Sequence, residues 1–250
     1  MVELAGQVAV VTGAGRGMGG AVAAALAARG ATVVLVDVDE QALAGAASAI
    51  RAAGGACVVA PADVSRRDEV ERVFARADEA GGVDVLVNAA GIAVSKSLLE
   101  QEESDWDRVL DVNLKGSFLC LQAAARRMTG KRAGKIVNFA SLAGLIASPS
   151  PEIGYDASKG GVIQLTRAAA AELAPFGVNV NAVAPGVVHT SLYGDSLDDP
   201  DTAREITSRI PLGRIASVED IVGPVLFLLS PASDYITGHI LVVDGGRLLH

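Results

Sequence analysis

Short, mainly apolar and β-branched runs alternate with longer helical patterns along this chain. The runs VAVVT (8–12), TVVLVD (32–37) and CVVAPAD (57–63) are followed in turn by VDVLVNAAG, KIVNFAS, VNVNAVAPG and HILVVDGG. Continuous rather than alternating hydrophobicity is typical of parallel strands that are covered on both faces. Strand–helix–strand units, which have right-handed crossovers, repeat along the whole chain. The sequence therefore predicts an α/β fold: a doubly wound parallel sheet of about seven strands, flanked by helices on both faces.

A single domain over 1–250 accounts for this pattern, since no linker, composition shift or internal repeat divides the chain. Half of the residues are hydrophobic and 20% are charged, which provides for a large core. The net charge of −8 argues against a nucleic-acid partner, whose binding would rest on the neutralisation of phosphates. We interpret the one basic run, RRMTGKRAGK (126–135), as a solvated face.

The cysteines and the apolar runs predict where the protein resides. Cys57 and Cys120 are far apart in apolar contexts, which indicates two buried free thiols in a reducing compartment. The first residues, MVELAGQVAVVTG, contain no basic segment or cleavage signal. The run IVGPVLFLL (221–229) is too short to span a bilayer. We therefore expect a soluble cytoplasmic protein that does not bind membranes.

The first strand leads directly into TGAGRGMGG (12–20), a glycine-rich segment in which a helix is predicted to begin. Gly13 permits a tight turn, Gly17 lets the backbone approach a pyrophosphate, and Gly19 or Gly20 allows close contact between helix and strand. The N-terminus of the helix would present free N–H groups and its positive dipole end to phosphates. Because a strand precedes the segment and a helix follows it, we predict dinucleotide binding in a Rossmann-type fold.

The acid at the end of the second strand predicts the choice of dinucleotide. Asp37 lies twenty residues beyond Gly17. A carboxylate there can accept hydrogen bonds from both hydroxyls of the adenosine ribose and would repel a 2′-phosphate, which favours NAD over NADP. Arg16 favours the opposite choice, because a cation in the glycine loop could pair with that phosphate. A second interpretation is that Asp37 caps the following turn together with Asp39.

Tyr155 and Lys159 are four residues apart in GYDASKGG (154–161), so they share one face of a predicted helix. Such a pair can be an ordinary surface pair. Ser141, however, follows the fifth strand at the carboxyl rim of the sheet, where ligands bind in open α/β folds. A nearby ammonium would lower the pKa of the Tyr155 phenol from about 10 and make it an acid or base for an alcohol–ketone pair near neutral pH.

Together with further motifs, these residues resemble the classical short-chain dehydrogenase/reductase family over residues 4–246. The motifs occur in the order TGAGRGMG, ADV (62–64), NAAG (88–91), Asn113 in DVNLKG, Ser141, YDASK (155–159), PG (185–186) with Thr190, and a terminal VDGG. Within the family, PLGRIASVEDIVGPVLFLLSPASDYITG is similar to the 3-oxoacyl-carrier-protein reductase type.

The resemblance implies a catalytic set of four residues. Tyr155 is the acid or base, and Lys159 lowers its pKa while holding the nicotinamide ribose. Ser141 hydrogen-bonds the substrate oxygen, and Asn113 holds a water that links Lys159 to solvent. The resemblance implies no metal site.

The resemblance also implies contacts to NAD from every rim loop. Asp63 and Val64 lie at the adenine, the NAAG segment lies at the adenosine ribose, and Val188 and Thr190 lie at the nicotinamide amide. The full set, besides Tyr155 and Lys159, is Gly13, Arg16, Gly17, Met18, Gly19, Asp37, Asp63, Val64, Asn88, Ala89, Gly91, Pro185, Gly186, Val188 and Thr190.

Three features depart from the family pattern. Ser141 and Tyr155 are fourteen residues apart, one more than the commonest spacing, so we expect a reshaped substrate pocket. Glycines 160 and 161 follow Lys159 where alanine is more usual, and we expect them to loosen the helix slightly. Phe176 stands where the 3-oxoacyl reductase type often has a basic residue, which, like Asp37, favours an NAD-dependent dehydrogenase.

We therefore expect an NAD-dependent oxidoreductase that interconverts a secondary alcohol and a ketone. The alternatives are an NADPH-dependent 3-oxoacyl-[acyl-carrier-protein] reductase and, in another class, a non-catalytic dinucleotide-binding scaffold. Segment 187–215 is expected to be a lid over the substrate, and its acids disfavour a polyanionic substrate: Asp195, Asp198, Asp199 and Asp201. The resemblance implies a homotetramer, or a dimer, formed through helices over 106–128 and 160–174.

Overall fold

Seven parallel strands form one sheet in this structure, a computed structural model that describes residues 3–190 and 199–249. The strands are β1 (Val8–Thr12), β2 (Thr32–Val36), β3 (Ala56–Val59), β4 (Val85–Asn88), β5 (Gly134–Phe139), β6 (Val178–Pro185) and β7 (Ile240–Val243). Their order across the sheet is β3-β2-β1-β4-β5-β6-β7. The predicted doubly wound parallel sheet is confirmed.

Eight α-helices cover the two faces of the sheet in the described ranges. They are α1 (Gly17–Ala27), α2 (Glu40–Ala52), α3 (Arg67–Glu79), α4 (Glu103–Leu110), α5 (Gly116–Lys131), α6 (Ile153–Leu173), α7 (Pro200–Ser208) and α8 (Val218–Leu228). Helices α1, α2 and α8 contribute to one hydrophobic cluster, and α3 and α5 contribute to another. The sheet therefore lies between two helical layers.

Neighbouring residues of β1 explain why its sequence is apolar throughout. Val10 and Val11 are both fully buried, yet Val11 belongs to the cluster under α1 and Val10 to the cluster under α3. Successive side chains of a strand point to opposite faces, and here both faces are covered. The other central strands follow the same rule.

The strand order reverses beside β1, which pairs with both β2 and β4. Thr12 and Asn88, the last residues of β1 and β4, are register partners at this point. In doubly wound sheets, ligands bind in the crevice where two neighbouring strands lead to helices on opposite faces. The glycine-rich segment and the NAAG segment both begin at this crevice.

A single π-helical turn, Asp111–Lys115, joins α4 to α5. The helix predicted over 106–128 is therefore made of three segments rather than one. Asn113 lies in the π turn and is completely buried. Such turns insert one extra residue per turn and are frequent at functional sites.

The segment expected to form a lid contains helix α7, and residues 191–198 within it lie outside the described residues. Asp195 and Asp198, named above among its acids, belong to that undescribed part. Asp199 caps α7, since its Oδ2 accepts a hydrogen bond from Thr202 N over 2.8 Å. Asp201 pairs with Arg204 at the surface. These two acids are thus accounted for without a substrate.

The basic run at 126–135 is matched by acids. Arg127 pairs with Asp78 over 2.7 Å, and Lys131 pairs with Asp84 over 3.1 Å. Pairing of this kind leaves little uncompensated positive charge for a polyanion. The run covers the end of α5 and the start of β5, and its charged residues lie at the surface except for the largely buried Lys135, which pairs with Asp234.

Both cysteines are free thiols, and their burial differs. Cys120 is buried, and this burial raises the pKa of its thiol to about 12. Cys57 is only partly buried, because β3 is an edge strand of the sheet. The prediction that both thiols are buried was therefore wrong for Cys57. None of the helices in the described ranges is both long and apolar enough to cross a membrane.

Candidate active site

The glycine loop after β1 has no room for side chains at three of its positions, Gly13, Gly15 and Gly19. Gly13 has φ = +65°, and a Cβ atom there would lie 2.9 Å from the main chain of Ala90. A Cβ atom on Gly19 would collide with the main-chain oxygen of Gly13. Gly19, rather than Gly20, is thus the glycine that brings α1 against β1. The loop is as tight as the phosphate-binding interpretation requires.

The first turn of α1 is open to an anion. Its N-cap residue, Arg16, makes no side-chain hydrogen bond to the turn, and the turn contains no acid. Gly17 has φ = +58° and open space in front of it, with Thr190 Cγ2 4.0 Å from a Cβ atom built there. Met18 packs against the cluster under α1. Free N–H groups at a helix N-terminus favour phosphate.

Asp37 lies beside the glycine loop and makes two main-chain contacts. Its Oδ2 accepts a hydrogen bond from Gly15 N over 3.1 Å, and its Oδ1 accepts one from Asp39 N over 3.1 Å. Asp39 in turn caps α2 and forms an ion pair with Arg16 over 3.4 Å. Asp37 therefore orders the turn that follows it, as the second interpretation held, and its carboxylate lies beside the glycine loop.

Two side chains hold the NAAG segment in place: that of Thr12 and that of Asn88, the first residue of the segment. Thr12 Oγ1 accepts hydrogen bonds from the N–H groups of Ala89 and Ala90, each over 3.1 Å. Asn88 is buried and donates through Nδ2 to Asn138 Oδ1 over 2.9 Å. Its Oδ1 is buried and has no hydrogen-bond partner within the described part of the chain. These contacts hold Ala89 and Ala90 at the crevice, next to the exposed Gly91.

The remaining predicted cofactor residues are spread along the same rim. Asp63 Oδ1 accepts hydrogen bonds from Ser65 N and Oγ, so its carboxylate orders its own turn. Val64 is buried against Gly116 at the start of α5. Of these two residues, Asp63 is the one that remains partly exposed at the rim.

The turn after β6 is held against the end of β7. Gly186 N donates to Val243 O over 3.0 Å, and a Cβ atom on Gly186 would lie 3.0 Å from Asp244 Cα. Pro185 is the last residue of β6, and Val188 is buried and bridged to Ala216. This turn carries Thr190 to the position opposite Gly17.

Ser141 begins the reactive end of the crevice. It caps a single 3₁₀ turn, Leu142–Gly144, and its Oγ accepts a hydrogen bond from Ala143 N over 3.1 Å. The hydroxyl proton is therefore left to donate elsewhere. Gly144 brings this turn onto α6, since a Cβ atom there would lie 2.7 Å from the main-chain carbon of Lys159. The contact packs the turn that Ser141 caps against the main chain of α6 at Lys159.

Tyr155 and Lys159 share one face of α6, as predicted. The Nζ atom of Lys159 lies 5.5 Å from the centroid of the Tyr155 ring and donates to Phe139 O over 2.8 Å. Lys159 is 5% exposed, whereas Tyr155 is partly exposed. A buried ammonium under a half-exposed phenol is not an ordinary surface pair.

Asn113 joins the NAAG segment to α6. Its Oδ1 accepts a hydrogen bond from Ile92 N, and its Nδ2 donates to Ile92 O and to Ser158 Oγ, over 2.8 to 3.0 Å. A Cβ atom on Gly91 would lie 3.4 Å from Asn113 Oδ1 and 3.5 Å from Lys159 Nζ. All four predicted catalytic residues thus lie in one connected region at the carboxyl rim.

Comparisons with known proteins show to which family the chain belongs. A family model described as enoyl-(acyl carrier protein) reductase matches residues 13–247. A 3-oxoacyl-[acyl-carrier-protein] reductase of Synechocystis sp. is 41% identical over 252 residues, covering 100% of both chains. The chain belongs to the short-chain dehydrogenase/reductase family. It is an oxidoreductase of that family.

Two further relatives show the range of the family around this chain. A galactitol 2-dehydrogenase (L-tagatose-forming) of Cereibacter sphaeroides is 42% identical, covering 98% of this chain and 96% of its own. A crystal structure of a gluconate 5-dehydrogenase from Burkholderia cenocepacia, in complex with NADP and tartrate, has a TM-score of 0.94 at 36% identity. That match covers 99% of this chain and 97% of the other.

Burial controls the electrostatics of this short-chain dehydrogenase/reductase site. It lowers the pKa of the Lys159 ammonium from 10.5 to about 8, because the charged form loses its hydration. Glu152, the N-cap residue of α6, has a raised pKa, first because of its burial and second because of the charge of Asp156. At pH 7 the ammonium of Lys159 still predominates.

Several residues that support this site were not singled out from the sequence. Asn138 receives the hydrogen bond of Asn88 and donates to Thr166 Oγ1 over 2.9 Å, and both residues are completely buried. Ser158 links Asn113 to Tyr155 O. A polar residue within an otherwise apolar strand, such as the asparagine of KIVNFAS, is the signal that could have identified Asn138.

The residues present fit a nicotinamide dinucleotide. The glycine loop admits no Cβ at Gly13 or Gly19, the first turn of α1 has no acid, and Asn88 Oδ1 is a buried acceptor for which the described residues provide no donor. Among the described side chains, no cluster of three or more His, Cys, Asp or Glu residues could hold a metal ion.

Proposed function

We propose that this chain is an NAD(H)-dependent dehydrogenase/reductase that interconverts a secondary alcohol and a ketone, with Tyr155 as general acid or base. The observation that carries the proposal is the buried Lys159 ammonium, 5.5 Å from the centroid of the Tyr155 ring and one helical turn away. A cation in that position favours the phenolate and so brings the phenol into the range of acid–base catalysis near neutral pH.

Tyr155 and Ser141 have different roles at the substrate oxygen. During oxidation, the Tyr155 phenolate takes the hydroxyl proton of the alcohol, and during reduction the phenol returns it. Ser141 donates its free hydroxyl proton to the same oxygen, where negative charge develops. Asn113 is a positioning residue, because its amide forms hydrogen bonds to both Ile92 and Ser158 and so holds the NAAG segment against α6. A bound nicotinamide dinucleotide would supply the acceptor or donor of the hydride.

The dinucleotide would lie along the rim from Asp37 to Thr190. The open first turn of α1 favours its pyrophosphate, and Lys159 would hold the nicotinamide ribose. The other residues in contact would be Arg16, Met18, Asp63, Val64, Asn88, Ala89, Gly91, Pro185, Gly186 and Val188.

The charges around Asp37 favour NAD over NADP. Its carboxylate lies beside the glycine loop, where it would repel a 2′-phosphate. Arg16 would attract that phosphate, but it already pairs with Asp39 over 3.4 Å. The gluconate 5-dehydrogenase neighbour binds NADP. The preference of this chain for NAD is therefore tested by measuring its affinity for both dinucleotides.

A second function is favoured by one relative. The Synechocystis 3-oxoacyl-[acyl-carrier-protein] reductase supports an NADPH-dependent reductase of acyl thioesters. The galactitol dehydrogenase supports oxidation of a polyol. A non-catalytic scaffold is disfavoured, because it would have no need of a buried lysine beside a tyrosine.

We further propose a single-domain, cytoplasmic homotetramer, or a dimer, whose substrate lid is segment 187–215. The two free cysteines support a reducing compartment. Phe118 of α5 is a large apolar side chain left 39% exposed on the isolated chain, on a helix expected at the interface.

Titration of the purified protein with NADH and NADPH, followed by nicotinamide fluorescence, tests this function first. Tight binding of NADH and weak binding of NADPH is the expected result, and preferred NADPH binding would favour the carrier-protein reductase. A screen of secondary alcohols with NAD⁺ follows, with Tyr155→Phe as the comparison. Binding of neither dinucleotide, or full turnover by Tyr155→Phe, would overturn the proposal.

A further inference from the structure

A cavity of about 460 Å³ opens beside the loop that separates Ser141 from Tyr155. Its walls include Ile146, Ala147 and Pro149 of that loop, together with Ser208, Arg209, Pro211 and Arg247. The cavity thus adjoins both the loop between the two groups proposed to hold the substrate oxygen and the segment 187–215 proposed as the substrate lid.

The loop wall is firmly attached to the catalytic helix. Ser148 donates from both N and Oγ to the carboxylate of Asp156 in α6, over 2.9 and 2.6 Å. Asp156 is the residue next to Tyr155. The distance between the cavity wall and the phenol is thus set by two hydrogen bonds rather than by a free loop.

Arg247 is the unusual member of the lining. It is 9% exposed, yet its guanidinium has no hydrogen bond or ion pair within residues 3–190 and 199–249. The nearest acid in the sequence, Asp244, makes no ion pair with Arg247; its Oδ1 and Oδ2 accept hydrogen bonds from the N–H groups of Gly246 and Leu248. A buried charge without a partner is costly, and arginine stays charged at physiological pH.

The other charges around the cavity do not neutralise Arg247. None of its described lining residues is acidic. Arg209 is the second cation, but it pairs with Glu205 over 2.8 Å and its side chain is 52% exposed. Among its described residues, the lining therefore carries one uncompensated positive charge in mainly apolar surroundings. One charge matches a carboxylate better than a doubly charged phosphate.

We infer that Arg247 binds a carboxylate of the substrate, so that the alcohol oxidised at Tyr155 is a hydroxy acid. This inference rests on the proposed function and adds a substrate class to it. A guanidinium offers two parallel N–H groups to a carboxylate, and a partly apolar wall strengthens the pair by excluding water. Arg247 is thus a specificity-determining residue, and Arg209 is a peripheral one.

Kinetics with matched substrates test the assignment. The probes are hydroxy acids and their neutral carboxamides, for example gluconate with gluconamide and 3-hydroxybutyrate with 3-hydroxybutyramide, each with NAD⁺. For a pair that the enzyme accepts, the wild type should prefer the hydroxy acid to its carboxamide. Arg247→Gln should raise the KM for the hydroxy acid about 30-fold or more and change the KM for the carboxamide about 3-fold or less. Arg247→Lys should recover part of the loss, and Arg204→Gln, at an exposed arginine of α7 that does not line the cavity, should change neither member more than about 3-fold.

A measurement without turnover separates this inference from the proposed function. Hydroxy acids should raise the Tm of the wild-type protein above that in sodium chloride of equal ionic strength, and should not raise that of Arg247→Gln. Without ligand, Arg247→Met should have a higher Tm than wild type, because it removes an unpaired buried charge and keeps the apolar stem. A merely structural arginine would give a lower Tm.

Three outcomes would overturn the inference while leaving the proposed function intact. They are a wild-type preference for the carboxamides, equal increases in the KM values for hydroxy acid and carboxamide in Arg247→Gln, or no increase in the Tm of wild type with hydroxy acids. Loss of the wild-type oligomeric state in Arg247→Gln would overturn it also, since the guanidinium would then belong to a contact between copies of the chain. If an Arg247-dependent Tm increase occurs but NADH does not bind, the proposed function fails and the anion site stands.

Discussion

The Nζ atom of Lys159 donates a hydrogen bond to Phe139 O over 2.8 Å, at a position where the lysine is almost fully buried. Burial lowers the pKa of its ammonium to about 8 in the folded protein, against 10.5 ordinarily. Between these values the unfolded chain binds more protons than the folded one, so stability rises with pH through this window. Below pH 8 the cost of the buried charge is fully present.

This relationship predicts a difference in pH dependence between wild type and Lys159→Met. From about pH 7 to pH 9.5, the free energy of unfolding of wild type should rise, relative to the variant, by on the order of 2 kcal/mol. Urea denaturation of both proteins at the two pH values measures it. Parallel pH profiles would contradict the assignment of a depressed pKa to Lys159.

Asp37 and Asp39 should have separable effects on cofactor choice. Asp37→Ser removes the carboxylate beside Gly15 and should weaken NADH and strengthen NADPH binding, each by about 10-fold. Asp39→Asn keeps an N-cap for α2 but frees Arg16 from its ion pair, so it should strengthen NADPH binding alone. Fluorescence titrations provide the dissociation constants. If Asp37→Ser leaves both constants unchanged, Asp37 only orders its turn.

Gly144 and Gly160 face each other, yet they should respond in opposite ways to alanine. A Cβ atom on Gly144 would lie 2.7 Å from the main chain of Lys159, so Gly144→Ala should cost roughly 1–3 kcal/mol and reduce activity by displacing Ser141. A Cβ atom on Gly160 meets nothing nearer than Gly144 O at 3.8 Å. Gly160→Ala should therefore stabilise the protein by about 0.4–1 kcal/mol.

Thermal unfolding and kcat of the two variants test this pair. A destabilised Gly160→Ala would mean that α6 needs glycine there for a reason other than space. The expectation that the glycines after Lys159 loosen the helix predicts the same gain for Gly160→Ala. At Gly161, a Cβ atom would lie 2.7 Å from Leu114 Cδ2. The close packing of Leu114 therefore explains the glycine at this position.

Thr12 should matter for the cofactor through the NAAG segment. Thr12→Val keeps the shape of the side chain but leaves the N–H groups of Ala89 and Ala90 without their acceptor, at a cost of roughly 1–3 kcal/mol. NADH binding should weaken as the segment loses its position. Thr12→Ser retains the hydroxyl and is the matched control. Equal Tm and equal NADH affinity in Thr12→Val and Thr12→Ser would show that the two hydrogen bonds are dispensable.

Local signals in the sequence were enough to predict the fold and the order of the site motifs. The VAVVT run followed by Gly13 defines a strand and a tight turn, and the spacing of Tyr155 and Lys159 defines a shared helix face. Such features depend on residues within one or two turns of each other. Strand ends are also predictable as a class, because parallel strands bring all their carboxyl ends to one rim.

Tertiary structure alone decided which of these residues are buried and what each one contacts. Asn113 is turned into the protein by a π turn, Arg16 is paired with Asp39, and Arg247 is buried without a side-chain partner among the described residues. Each of these facts depends on chain segments that are distant in sequence or on a small change in helical geometry. Desolvation and ion pairing act through space, and so the pKa of Lys159 and the charge of the cavity beside Arg247 arise only in the folded chain.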